Sequence, residues 1–138
     1  MKRTKKNNKG FSLVELIVVV LIMAIIAVAL APQVMKWVNE SRKSADASTY
    51  DSVVAAAQDA LAVEDVWNAV EGGGVDFTIE ITDEKCTLAG PDDFQAEVTK
   101  QLGGNIGSIK FKQKGASATV TIQKDGTVVR TKEPTVTK

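Results

Sequence analysis

Twenty consecutive residues, Leu16 to Met35, carry no charge, and only Pro32 and Gln33 interrupt their apolar character. Coiled as an α-helix, such a run is about 30 Å long, the thickness of a bilayer's hydrocarbon core. Valine and isoleucine are frequent in it, but a strand of that length is improbable. In hydrocarbon, moreover, each backbone N–H must find its partner inside its own segment. The run therefore reads as a membrane-spanning helix.

Flanking charge gives that helix a direction. Lys2, Arg3, Lys5, Lys6 and Lys9 crowd the first ten residues, and no acid precedes Glu15. Clustered cations stay on the cytoplasmic side, so the N-terminus is expected inside and the C-terminus outside. The cluster also hides an imbalance. The 138-residue chain is formally neutral, with 17 cations and 17 acids, yet without its first ten residues 12 cations face 17 acids, a net charge of −5. An acidic remainder disfavours nucleic acid as a partner. Histidine is absent, which excludes His-based triads, His-ligated metals and a histidine pH switch. The single cysteine, Cys86, has no intrachain partner for a disulfide and no companions for a zinc site. Without Gly-rich phosphate loops or paired catalytic carboxylates in a recognisable context, the composition fits a membrane-tethered or structural protein. It argues against an enzyme and implies no cofactor or metal.

Three readings of the N-terminal segment compete. A basic start, an apolar centre and the small residues Ala29-Leu30-Ala31 could form a removable secretory signal. The run is longer than the usual ~7–15 residues of such a signal, Glu15 intrudes at its start, and Pro32 directly follows the cut. An ordinary single-pass anchor explains the hydrophobicity but gives no reason for Glu15. Charges at the centre of a membrane helix cost about 2.5–3.5 kcal/mol, less near its ends, and such residues usually have a partner. The third reading rests on the block Lys9-Gly10-Phe11-Ser12-Leu13-Val14-Glu15-Leu16, followed by the apolar run and Pro32. This resembles the leader and N-terminal segment of type IV pilins and pseudopilins over residues 5–35, about a quarter of the chain.

The resemblance implies that a membrane prepilin peptidase cuts between Gly10 and Phe11, removes residues 1–10 as a leader and N-methylates Phe11. Glu15, fifth in the mature chain, matches the glutamate of the family, and Pro32, the twenty-second, its helix-bending proline. Many members also carry a glycine near the position of Ala24, and this span has none. In a filament, the Glu15 carboxylate can meet the Phe11 amine of an adjacent subunit, so two charges costly in apolar surroundings compensate each other and select register. Pro32 lacks an N–H, cannot donate to the carbonyl of Val28, and bends the helix there. The implied partners are copies of the chain in a helical homo-oligomer, prepilin peptidase/methylase, membrane lipid before assembly, and the pilus assembly platform with its ATPase machinery. No nucleic acid and no small-molecule substrate is required.

Beyond Met35 the helix is expected to continue. Tyr50, Val53, Val54, Ala57, Ala60 and Leu61 recur three and four residues apart as one apolar stripe, while Ser44, Asp46, Ser48, Asp51 and Asp59 occupy the other positions. A break near Val63–Asp65 would leave Val66, Trp67 and Val70 on a short separate turn, and Gly72-Gly73-Gly74 ends the helical region. From Val75 the period becomes two: Val75, Phe77, Ile79 and Ile81 alternate with polar residues as in a half-buried strand. Pro91-Asp92-Asp93 opens a short helix bearing Phe94, Val98 and Leu102, which Gly103-Gly104 ends. Ile109 and Phe111 alternate with Lys110 and Lys112, Lys114-Gly115 turns, and Ala118–Ile122 alternates again. Asp125-Gly126 marks a hairpin whose return is Thr127–Thr131. The expected fold is α+β: a long N-terminal helix, half membrane-spanning and half amphipathic, packed against an antiparallel sheet of three to four strands. Its segments are a leader (1–10), a transmembrane or filament-core helix (11–35), an amphipathic continuation (36–71) and a sheet head (75–138). That plan also resembles pilin heads. Many Gram-negative members staple theirs with two cysteines, which this chain cannot do, and this points toward a Gram-positive, clostridium-like source.

Remaining features have plain explanations. Cys86 reads as a small buried residue, because no histidine exists to activate it. Asp92-Asp93 could be half a calcium site but fits the positive end of a helix better. Asn39-Glu40-Ser41 matches a glycosylation sequon on a helix near the membrane and is discounted. Lys110, Lys112 and Lys114 fit a solvated strand face that resists aggregation better than a surface for DNA or adhesion. The Lys132–Lys138 tail is expected to be loosely ordered.

Taken with the resemblance, these features describe a structural subunit of a type IV pilus. It would wait in the cytoplasmic membrane as a single-pass precursor, then enter an extracellular filament for adhesion, twitching motility or DNA uptake. A pseudopilin of a type II secretion or competence apparatus shares every N-terminal feature. A membrane-anchored binding module or enzyme is the remote alternative.

Overall fold

The computed structural model describes residues 10–73 and 76–136. In chain order the elements are α1 (Leu13–Leu61), α2 (Glu64–Gly73), β1 (Phe77–Thr82), β2 (Cys86–Leu88), α3 (Asp92–Gln101), a 3-10 turn (Ile106–Ser108), β3 (Ala116–Ile122) and β4 (Val128–Val136). The fold is α+β, with four antiparallel strands in the order β2-β1-β3-β4. Compact packing divides the chain into two units, one up to Val38 and one from Asn39.

In the first unit, the described residues form the start of α1, and Pro32 lies inside the helix without ending it. No glycine occurs between Phe11 and Glu71 to interrupt it. Every described residue of this unit is exposed.

The second unit holds the core. Tyr50, Val53, Val54, Ala57, Ala60 and Leu61, the stripe read from the sequence, are all buried, with Ala56 beside them. Across from them lie Ile79, Ile81, Ala118, Val120 and Ile122, fully buried members of the same core cluster. Strict alternation on β1 and β3 turns these residues to one face of the sheet while Thr78 and Glu80 face out. Phe94 and Val98 of α3 close one side, and the rings of Phe94 and Phe77 meet edge to face with centroids 4.9 Å apart. Arg130 of β4 pairs with Asp51 of α1 at 2.8 Å and lies 5.5 Å from the centre of the Tyr50 ring, tying the edge strand to the helix.

Several expectations need correction. Ile109 and Phe111 do not lie on a strand: after the 3-10 turn this segment is an irregular loop. Phe111 drops its ring into the core while its N–H donates to the Thr82 carbonyl at 2.9 Å, so two apolar residues produced period two without a ladder. The fourth strand is instead Cys86–Leu88, too short to show a pattern, paired with β1 through Ile81 and Cys86. The chain from Lys132 to Val136 is not a loose tail but part of β4, with Val136 paired to Ala116. Pro134 is tolerated because β4 is an edge strand. Residues 66–70 sit on a ten-residue helix, α2, not on a single turn. The break before α2 falls at Ala62–Val63, where the N–H groups of both residues tighten to i→i−3 carbonyl bonds at 3.2 Å. Val75 and Gly74 lie outside the described residues.

The largest departure is Asp46, expected on the polar side of α1 and found 1% exposed. Its Oδ1 accepts the Lys112 N–H at 2.6 Å and its Oδ2 the Gln113 N–H at 3.0 Å. A carboxylate on the helix thus supplies the ladder that the 109–115 loop lacks. Replacing Asp46 by Ala would strand two backbone donors. Hydrogen bonds to charged groups contribute ~1.5–3 kcal/mol each, so Asp46→Ala should destabilise the second unit by about 3 kcal/mol and Asp46→Asn by about half as much. Thermal unfolding of the full chain in detergent, followed by circular dichroism, measures both. Gly126 adopts φ +78°, and a Cβ there would run into the Trp67 ring. Gly126→Ala should therefore lower the midpoint of the same transition by several degrees, about 1 kcal/mol or more.

Candidate functional site

Gly10 and Phe11 lie ahead of α1, outside any helix or strand, and Phe11 is 83% exposed. A helix leaves its first four N–H groups without partners, and here the sequence supplies two of them. Ser12 Oγ accepts the Val14 N–H at 3.3 Å, while Glu15 Oε2 accepts the Ser12 N–H at 2.8 Å. Ser12 is the cap and Glu15 the third helical residue, so the two side chains cap the start of α1 in a variant of the capping box, the Ser12 hydroxyl taking the N–H of the second helical residue in place of the third. The Ser12 carbonyl takes the Leu16 N–H at 3.2 Å and starts the regular ladder. Glu15 therefore sits at the positive end of the helix dipole, held against the backbone one residue from Phe11. Sequence reading missed Ser12, although Ser-x-x-Glu ahead of an apolar run is a recognised start signal.

The structure thus brings Gly10, Phe11 and Glu15 into one short stretch. Pro32 is not part of it: seventeen residues separate it from Glu15, roughly 25 Å along a helix. What joins the two is the apolar surface between them. Val28 is 77% exposed, Met23 64% and Ile25 62%, and no residue of the most apolar window is buried within the chain. Transferring each large aliphatic side chain from water to an apolar medium is worth ~1.5–3 kcal/mol, so this surface requires cover that its own chain does not give. Lys36 and Trp37 follow the run, and Trp37 is 64% exposed. A cation and an indole at this point suit a membrane–water boundary, a signal that sequence reading also passed over.

Elsewhere the groups picked out from the sequence lie apart from this segment. Cys86 is buried on β2, and burial pushes its thiol up to about 11. Asp92 and Asp93 occupy the first turn of α3 and are exposed. Lys110, Lys112 and Lys114 are exposed on the irregular loop. Asn39, Glu40 and Ser41 are helical within α1. Among the described residues, no group of three or more acids or cysteines is placed to hold a metal ion.

Residues 5–31 match the family model for the prokaryotic N-terminal methylation motif. No curated protein and no solved structure matches the chain.

The Cys86 environment can be checked directly. A thiol raised to about 11 carries almost no thiolate at pH 8. The folded chain should therefore resist iodoacetamide at that pH and react rapidly once denatured, as intact-mass spectrometry would record. Fast alkylation of the native chain would contradict the burial.

Proposed function

We propose that this chain is a non-catalytic structural subunit of a type IV pilus, processed at its N-terminus and polymerised through α1. The methylation motif supports a type IV pilin-like or pseudopilin protein. The observation that carries the reading further is that this motif opens directly onto an apolar helical surface with no cover of its own. In the proposed cycle the precursor lies in the cytoplasmic membrane, with residues 1–10 inside and the second unit outside. Prepilin peptidase hydrolyses the Gly10–Phe11 bond and methylates the new Phe11 amine. The helix then leaves lipid for contact with copies of itself.

Charge would decide which contacts form. Lipid tails are as apolar as leucine, so exchanging them for sister helices brings little hydrophobic gain, and packing and polar pairs must supply the preference. Glu15 is engaged by Ser12 in the single chain, which moderates the cost of a carboxylate at the membrane face. In the filament its remaining acceptor capacity takes the N-methylated amine of a neighbour. A subunit entering out of register would leave both charges unpaired in apolar surroundings.

Mass spectrometry of the mature protein from its native host tests the first step. The expected terminus is N-methyl-Phe11, and a chain beginning at Met1 or Pro32 would overturn the proposal. Gly10→Val should block cleavage and leave full-length precursor in the membrane. Glu15→Ala should still be cleaved while filament yield collapses; normal yield would remove its pairing role. Release of long fibres by shear is the expected behaviour of a pilin, whereas retention in a short envelope structure would assign the chain to a pseudopilin.

A further inference from the structure

Acids cluster in sequence around a groove at one end of the second unit, while three lysines stand on a loop at the other, beside Asp83 and Glu84 of the β1–β2 turn. At one end Leu61 of α1, Trp67 of α2 and Gly126 and Val128 of the β3–β4 hairpin line a groove of about 310 Å³. Trp67 is 39% exposed there, resting on the Gly126 backbone where no Cβ intervenes. Four exposed acids, Asp59, Glu64, Asp65 and Asp125, lie within three residues of these lining positions. Of the two cations equally near in sequence, Lys124 and Arg130, the latter is already paired with Asp51.

At the other end stands the 109–115 loop. Lys110, Lys112 and Lys114 all point to solvent, and none forms an ion pair among the described residues. The backbone beneath them is fixed: Asp46 holds the Lys112 and Gln113 N–H groups, and Asp83 Oδ2 holds the Gly115 N–H at 2.8 Å. Ladder register separates the two surfaces, because β1 pairs Phe77 with Ile122 at the groove end and Thr82 with Ser117 at the loop end. Along α1, Asp46 and Leu61 are fifteen residues apart, about 22 Å of helix. The loop cannot reach the groove of its own chain.

We propose that the Lys110–Lys114 loop of one copy docks, head to tail, on the Trp67 groove of a second copy, whose lining residues have Asp59, Glu64, Asp65 and Asp125 close by in sequence. Lysines match the acids in sign, and an ammonium over the exposed indole adds a cation–π contact. A rigid loop loses little freedom on docking. Such a contact is heterologous, joining unlike surfaces of identical chains, and repeated without closure it generates a helix. It rests on the filament reading and adds a second, polar determinant of register outside the apolar helix.

Charge reversal and exchange in the full chain, expressed in its native host, provide the test. Lys112→Glu/Lys114→Glu and Glu64→Lys/Asp65→Lys should each lower sheared-filament yield at least about tenfold, since like charges then face across the contact. Combining all four substitutions should restore most of the yield, while Phe11 processing and membrane levels stay normal throughout. Wild-type yield from either reversed chain, or no rescue in the combination, would overturn the contact and leave the filament reading intact. Loss on reversing the loop alone, unrescued, would assign the lysines to another partner such as anionic lipid. Failure of the unaltered chain to form filaments would overturn the filament reading and this contact together. As a second measurement, the pair Lys112→Cys and Asp65→Cys should give disulfide-linked multimers in intact filaments, and neither single variant should. Absence of that ladder counts against the contact.

Discussion

An apolar helical surface that its own chain does not cover governs the rest of this molecule. Leu16 to Met35 present leucine, isoleucine and valine on every side of α1, and all of them are exposed. A helix apolar all round has only two stable environments, lipid or the interior of a protein assembly. None of the most apolar window is buried, so the surface calls for cover by lipid or by other chains. Both environments are accounted for if the same helix serves first as an anchor and later as the core of a polymer.

That constraint explains why the few polar groups at its start matter. In hydrocarbon, unsatisfied donors and isolated charges are expensive, and the chain opens α1 with a device that answers both at once. Ser12 caps the helix, and Glu15 reaches back to cap Ser12. The carboxylate is positioned by secondary structure before any partner arrives, next to the residue whose amine the proposed cleavage would free. Position, not only charge, is what a capping box supplies.

The second unit solves a different problem with the opposite means. It has about a hundred residues and no disulfide, so its core must hold by packing alone. An alanine-rich stripe on α1, the alternating faces of β1 and β3, and the Phe77–Phe94 pair provide that packing. Its irregular stretch, from Ile109 to Gly115, is held by carboxylates from distant elements, Asp46 and Asp83. These same bonds present three lysines on a fixed backbone, at the end of the sheet away from the Trp67 groove.

The N-terminal segment was legible because its physics is local. A long apolar run, a basic flank and the methylation motif that spans residues 5–31 require no knowledge of the rest of the chain. The helical stripe and the strands β1 and β3 were equally visible, since periods of 3.6 and two follow from backbone geometry. Tertiary structure decided everything that depended on partners far apart in sequence. Nothing near Asp46 in sequence reveals that residues 112 and 113 need its oxygens, so it looked like one more polar residue on a helix. Ile109 and Phe111 alternate like a strand, yet Phe111 is anchored to Thr82 and never joins a ladder, while three-residue β2 joins without showing a pattern. The end of the chain looked polar and loose until β3 provided an edge for it to pair with. Periodicity reports which face of an element is apolar; which backbone donors find acceptors is settled only when the chain closes on itself.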